Sequence, residues 1–197
     1  MSDLMVDFIM SLDGYGAAEG WPGFWGMEGP EYLAWIGDDE AESHDTLMGA
    51  TTYRLMSGFA AEMPDDSGMV GLTALRKVVF SSTLEEPLAW ANSELVEGDA
   101  VAAVRTRKDG GSRPMRTIGS VSLCRSLLAA GLVDRFRVVV FPVITGATGR
   151  DRIFAAYPDV ALDLVDKRTF DGRLQLLEYV PTVLDGPPRR RLDLRPA

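Results

Sequence analysis

Three short stretches combine small and hydroxylated residues in a pattern suited to phosphate: Gly49-Ala50-Thr51-Thr52, Ser81-Ser82-Thr83 and Gly119-Ser120-Val121-Ser122. Each follows residues that read as the end of a β-strand: Thr46-Leu47-Met48, Lys77-Val78-Val79-Phe80 and Thr117-Ile118. After the first and third, helical spacing resumes. A strand feeding a helix through Gly-Ser leaves backbone N–H groups free at the helix start. Those groups, with the helix dipole, favour an anion such as a pyrophosphate. The same turns also read as ordinary β-α connections, with Thr51 or Thr52 serving as a helix cap. Ligands of open α/β sheets bind beyond the carboxyl ends of strands, and three such ends suit an extended, phosphate-bearing ligand. The sequence contains no GxGxxG, so the usual Rossmann fingerprint is absent.

Other reactive residue types are sparse. The one histidine, His44, has no evident catalytic partner and reads as a surface residue near a helix end, which removes most Ser-His and Cys-His schemes. The one cysteine, Cys124, falls at a helical apolar position and reads as a buried thiol. Asp38, Asp39, Glu40, Glu42 and Asp45 lack metal-ligand spacing and read as a solvated face, so no metal is expected. The loop from Ala17 to Gly29 carries Trp21, Phe24 and Trp25 among glycines. Exposed aromatics there read either as a lid over a ligand pocket or as side chains packed on the domain surface.

The elements that must position these residues alternate between strand and helix. Met5 to Leu12 reads as a strand ending at Asp13-Gly14-Tyr15-Gly16, and Pro30 opens a helix with Leu33, Ile36 and either Tyr32 or Trp35 inward. A helix is predicted from Tyr53 to about Gly58, a polar loop over Asp65–Gly71, a strand at Leu95-Val96 and a helix from Ala100 to about Arg107. Val121, Cys124, Leu127 and Leu128 have helical spacing, with Gly131 placed to stop that helix in a left-handed cap. A long strand, Arg135–Phe141, and a glycine-rich loop, Thr145–Arg150, come next. Two strands, Val160–Val165 and Leu174–Val180, then flank a hairpin turn at Asp171-Gly172, and Pro181 ends the second. Residues 1–184 are expected to form one domain and 185–197 a tail carrying Arg189-Arg190-Arg191.

The 197-residue chain is 46% apolar and 25% charged, typical of a globular domain. Its net charge of −9 argues against nucleic acid as a partner. It has no apolar run near the ~20 residues that span a bilayer. The N-terminus shows no basic region of a signal peptide, so no membrane association and a cytoplasmic location are expected.

Taken together, SLDGY (Ser11–Tyr15), LMGATTY (Leu47–Tyr53), KVVFSSTL (Lys77–Leu84), IGSVSL (Ile118–Leu123) and LLAAGLVDRFRVVVFPVITG (Leu127–Gly146) resemble the dihydrofolate reductase-like superfamily. The chain is most similar to the branch containing the reductase domain of bifunctional riboflavin-biosynthesis deaminase/reductases. The resemblance implies an α/β fold with a mostly parallel central sheet, flanking helices and an antiparallel C-terminal strand. It also implies a nicotinamide dinucleotide, NADPH in preference to NADH, lying across the strand ends. By position, Gly119, Ser120, Val121, Ser122 and Leu123 would hold the pyrophosphate. Gly49, Ala50, Thr51 and Thr52 would lie opposite. Ser81 and Ser82 would approach the adenosine ribose and its 2′-phosphate, and Ile9, Gly14 and Tyr15 the nicotinamide. The family's basic residue after the glycine of the second turn is Ala50 here; Arg76, Arg105 or Arg107 could replace it.

Folate chemistry is not implied. The carboxylate position of folate reductases falls on Tyr32, and a one-residue shift to Glu31 turns a helical side chain by ~100°. The arginine that pairs with folate falls on Leu75. The expectation is therefore a reductase passing hydride from NADPH to a small heterocyclic, carbonyl or imine substrate. Trp21, Trp25, Tyr32, Trp35, Tyr53 and Phe141 would line the pocket, though Trp35, Phe141 and Tyr53 also read as core-packing residues, and Tyr32 or water would donate the proton. A non-catalytic dinucleotide- or small-ligand-binding protein is the alternative. The HxE and PCxxC elements of a zinc deaminase are absent from the sequence. Relatives on this branch form dimers, and the apolar last strands offer an edge for one.

Overall fold

The computed structural model describes residues 2–20, 23, 25–40, 43–111 and 113–187. Leu4–Ser11 forms β1, where Leu4, Val6, Phe8 and Met10 are buried while Met5, Asp7 and Ile9 on the other face are partly covered. That alternation is the two-residue period of a strand. There follow β2 (Tyr15–Ala18), α1 (Pro30–Glu40), β3 (Asp45–Gly49), α2 (Ala50–Glu62), α3 (Ser67–Ala74), β4 (Arg76–Phe80) and β5 (Ser93–Val96). The second half contains α4 (Ala100–Gly110), β6 (Met115–Thr117), α5 (Val121–Ala129), β7 (Arg135–Phe141), β8 (Gly149–Arg152), β9 (Val160–Phe170) and β10 (Leu174–Val183).

Eight strands form one sheet in the order β5-β4-β3-β6-β1-β7-β10-β9. The pairs from β5 to β7 are parallel, and β10 and β9 complete the sheet as an antiparallel ribbon. This is the expected architecture. Parallel neighbours require crossovers, which the helices supply while covering both faces.

On one face, β1 packs its buried residues against Leu123, Cys124, Leu127 and Leu128 of α5. Burying one such leucine contributes about 2 kcal/mol. α5 stops where expected: Gly131 has φ 65, its N–H reaches Leu128 O, and the Leu132 N–H reaches Leu127 O. The other face carries Tyr32, Val139, Phe141, Phe170, Leu174 and Leu176. A third cluster, with Met48, Tyr53, Leu72, Val79 and Trp90, lies toward the β4 edge.

Several local expectations are corrected. Residues 65–71, expected as a loop, enter α3. Asp66 accepts from the Met69 N–H at 3.0 Å, and buried Lys77 donates to the carbonyls of Leu72, Thr73 and Leu75, so ionic groups hold both ends of a short helix containing glycine. Part of the loop expected over Thr145–Arg150 belongs to β8, which pairs antiparallel with β2. α2 begins at Ala50 and extends to Glu62, well beyond the expected span. Pro181 lies inside β10: β7 pairs only with Gln175–Tyr179, so beyond them β10 has β9 alone beside it, an edge where proline is tolerated. His44, expected at the surface, is 5% exposed.

Candidate active site

β3 and β6 run side by side with Leu47 opposite Thr117, so α2 and α5 start at neighbouring points. Gly49 is the N-cap of α2 and Ser120 that of α5, and neither helix start has a side-chain cap. Gly119 and Ser120 adopt φ 61 and φ 66. The Ser120 hydroxyl oxygen accepts from the Gly49 N–H at 2.6 Å and shares a 2.8 Å hydrogen bond with the Thr52 hydroxyl, tying the turns together. A Cβ on Gly119 would stand 3.2 Å from Thr52 Oγ1, and one on Gly49 would stand 3.0 Å from Ser120 Oγ. Both glycines therefore permit close approach.

The other described helices begin differently. Asp66 caps α3, Asp99 accepts from the Val101 and Ala102 N–H groups at 2.9 and 3.2 Å, and Asp171 accepts from the Glu31 and Tyr32 N–H groups of α1 at 3.0 and 3.2 Å. The two helices without such a carboxylate are the two whose positive ends converge. An anionic group fits there. Thr51 and Thr52, weighed as caps, sit inside α2 instead.

Toward the sheet edge, Phe80 ends β4 opposite Gly49. Ser81 Oγ accepts from the Thr83 and Leu84 N–H groups, each at 3.0 Å, and so fixes its own turn. Ser82 and Thr83 are exposed. Arg54 of α2, not singled out in the sequence, donates to Thr83 Oγ1 at 3.2 Å. Arg76, by contrast, opens β4 and so lies at the far end of that strand. Arg76 and Arg107 both bind Glu94, at 2.7 and 2.5 Å, and Arg105 is exposed on α4.

At the end of β1, the Ser11 hydroxyl donates to Asp13 Oδ1 at 2.7 Å, and Asp13 also accepts from the Thr145 and Gly146 N–H groups at 3.1 and 2.8 Å. These bonds, the Ser11 hydroxyl first, hold the Asp13 carboxyl down at about 2, so it is ionised at neutral pH. Asp13 joins the turn after β1 to the loop after β7, with Gly14 at φ 85 beside it. Within SLDGY the Asp-Gly pair was the available signal for this turn.

Residues 3–176 match the RibD C-terminal domain family. The chain belongs to this family. Among solved structures, it is similar to a putative riboflavin biosynthesis protein from Shewanella sp. PV-4, with 19% identity, TM-score 0.72, and coverage of 91% of this chain and 99% of that one. It is also similar to a pyrimidine reductase-like protein from Corynebacterium diphtheriae, with 12% identity, TM-score 0.63 and coverage of 92% of each. A third similar structure is a diaminohydroxyphosphoribosylaminopyrimidine deaminase/5-amino-6-(5-phosphoribosylamino)uracil reductase from Thermotoga maritima. Identity there is 15% and TM-score 0.61, covering 92% of this chain and 57% of that one. At these identities the likeness shows the fold. No curated protein matches the chain.

In this RibD C-terminal domain, the aromatics expected around a pocket do not form one open lining. Tyr32 and Phe141 are 0% exposed and pack edge to face at 5.7 Å, with Phe170 beside Tyr32. Trp25 packs on Phe141 at 5.3 Å. Tyr53 belongs to the separate cluster near β4, where its hydroxyl accepts from the Trp90 N–H at 2.9 Å. Aromatic rings on an inward helix or strand face are buried for their apolar area, which is why Tyr32, Tyr53 and Phe141 belong to the core here. Trp21 lies outside the described residues.

Ile9 is half-buried, and the aromatic loop approaches it so closely that a Cβ on Gly23 would stand 2.9 Å from Ile9 Cδ1. Tyr15 is half-buried on β2 and donates its N–H to Ser11 Oγ at 3.0 Å. Ala50 and Val121 are half-buried, Ser122 is exposed and Leu123 is buried in the core. Cys124 is buried, with its thiol pushed up to about 12 by desolvation, and Sγ–H donates to the Gly119 carbonyl at 3.2 Å. It supports the turn and is no nucleophile. A cavity of about 210 Å³ lies on the sheet toward the strand starts, lined by Trp35, Arg116, Arg137 and Glu178, away from these turns. Among the described residues no cluster of His, Cys, Asp or Glu could hold a metal, and no helix is long and apolar enough to cross a membrane.

Proposed function

We propose that this RibD-type domain is an NADPH-dependent reductase acting on a small heterocyclic, carbonyl or imine substrate. The observation that carries the reading is the pair of uncapped helix starts joined through Ser120, in a family of reductase type. The N–H groups at the starts of α2 and α5 would bind the pyrophosphate, and Gly49 and Gly119 would let it come close. From the end of β4 to that of β1 is three strand spacings, about 14 Å at ~4.8 Å each, which suits an extended dinucleotide. The bound nicotinamide supplies the hydride. Ile9, Gly14 and Tyr15 flank its place at the β1 end and keep one side apolar.

Asp13 is ionised and accepts three hydrogen bonds, so it holds the loops and carries no proton to give. Tyr32 is enclosed in the core, which favours water over its hydroxyl as the proton source. The heterocycle choice follows the pyrimidine chemistry named for two of the neighbours.

Titration of the protein with NADPH and NADH, read by tryptophan quenching, tests the reading. Micromolar NADPH binding followed by oxidation in the presence of a carbonyl, imine or pyrimidine substrate supports it; failure to bind either dinucleotide removes it. The acid at the β1 end, Asp13, is ionised and bound by three hydrogen bonds, which favours one alternative, a dinucleotide-binding protein without turnover. Tight binding with no oxidation across all three substrate classes would select it.

A homodimer formed through β9 belongs to the same proposal. β9 has a single neighbour in the sheet, and Leu162, Leu164 and Val165 on it are 42%, 51% and 49% exposed. A second copy would cover this edge. Sedimentation should give a dimer that Leu164→Asp dissociates; a monomeric wild type would end that part. The expected domain limits, a C-terminal tail after residue 184 and a cytoplasmic location are kept as part of the proposal.

A further inference from the structure

We infer that Arg54 selects for a 2′-phosphorylated dinucleotide. The inference deepens the dinucleotide reading and rests on it. Arg54 is one helical turn beyond Ala50, on the same face of α2, and side chains on a helix lean toward its N-terminus. Its guanidinium therefore reaches back to the end of β4, as the 3.2 Å bond to Thr83 Oγ1 records.

The charge on Arg54 is available. Arg76, Arg107, Arg137 and Arg168 each bind a carboxylate. Arg54 is exposed, and among the described residues its partner is a neutral hydroxyl, with no carboxylate within ion-pair distance. Exposed Ser82 and Thr83 add hydroxyl donors beside it. Ser81 holds the turn that presents them. A planar guanidinium next to two hydroxyls suits a phosphate dianion one strand over from the pyrophosphate cradle.

The opposite end of the groove has the opposite sign. Asp13 stays ionised at the end of β1 and would repel a phosphate there. Arg54 takes the part that Ala50 cannot play.

The test is a set of titrations of wild type, Arg54→Gln and the control Arg173→Gln, at an exposed arginine of the β9–β10 turn, with NADPH, NADH, adenosine 2′,5′-bisphosphate and 5′-AMP. Melting temperatures of each variant would confirm folding. Wild type should prefer NADPH. Arg54→Gln should weaken NADPH and the bisphosphate by about tenfold or more and leave NADH and 5′-AMP unchanged. Arg173→Gln should match wild type, and Arg54→Lys should recover part of the preference. Unchanged NADPH affinity in Arg54→Gln, equal weakening of NADPH and NADH, or a wild type indifferent to the 2′-phosphate would each overturn the assignment while leaving the dinucleotide reading intact. A wild type that binds no dinucleotide overturns both.

Discussion

The helices of this protein start in two ways. α1, α3 and α4 have their first N–H groups bound by the carboxylates of Asp171, Asp66 and Asp99. α2 and α5 have no side-chain cap, and the glycine turns before them face each other at the carboxyl ends of β3 and β6. A capping side chain typically contributes about 1 kcal/mol. Leaving it out at two adjacent helices, while keeping it at the other three, concentrates unsatisfied donors and positive potential at one place. The capped starts serve stability; in the proposed function the bare starts serve a ligand.

Giving α5 a carboxylate of its own breaks the contrast most severely. Ser120→Asp should lower NADPH affinity by about a hundredfold through like-charge repulsion, with the melting temperature close to wild type. Retained affinity in that variant would mean the phosphates sit elsewhere. Removing a distant cap is the reverse experiment. Asp171→Ala strips two N–H partners from α1 and should cost about 2 kcal/mol in denaturant unfolding. Gly29→Ala should act similarly, because its Cβ would run into the Asp171 carboxylate. Asp99→Ala should cost about 1 kcal/mol and leave dinucleotide binding as it is. A binding defect there would blur the division between the two kinds of start.

The smallest effect concerns Asp13, a carboxylate bound to loops rather than to a helix. Its folded value of about 2 lies below the ordinary 3.8, so its bonds add stability that is complete above the ordinary value. That stability is lost as pH falls from there through about 2. Acid unfolding should be steeper across that window in wild type than in Asp13→Asn. Equal slopes would show that the carboxylate is not coupled to folding.

Much of the frame was legible because it depends on local pattern. Buried strands such as Val78-Val79-Phe80 and Val138-Val139-Val140, the hairpin at Asp171-Gly172 and the stop at Gly131 all carry their signals within a few residues. What depended on distant partners was not legible. The β2–β8 pair exists only once two loops are brought together, and α3 depends on Lys77 folding back onto its carbonyls. Aromatic type alone could not tell the enclosed Tyr32 and Phe141 from pocket residues. Arg54 was invisible for a related reason, since spacing along α2 does not say which loop lies beside it.

The position of β1 has a consequence for how the molecule is made. This first strand sits between β6 and β7, with Met5 opposite both Arg116 and Arg135. The earliest apolar segment of the chain must wait for partners that arrive much later in synthesis. Contacts of such long sequence separation form slowly and leave intermediates with an uncovered strand. A chain cut before Arg135 would lack one whole side of its central strand, however intact its glycine turns after β3 and β6. During biogenesis, the sheet can be completed around β1 only after β7 has emerged and docked.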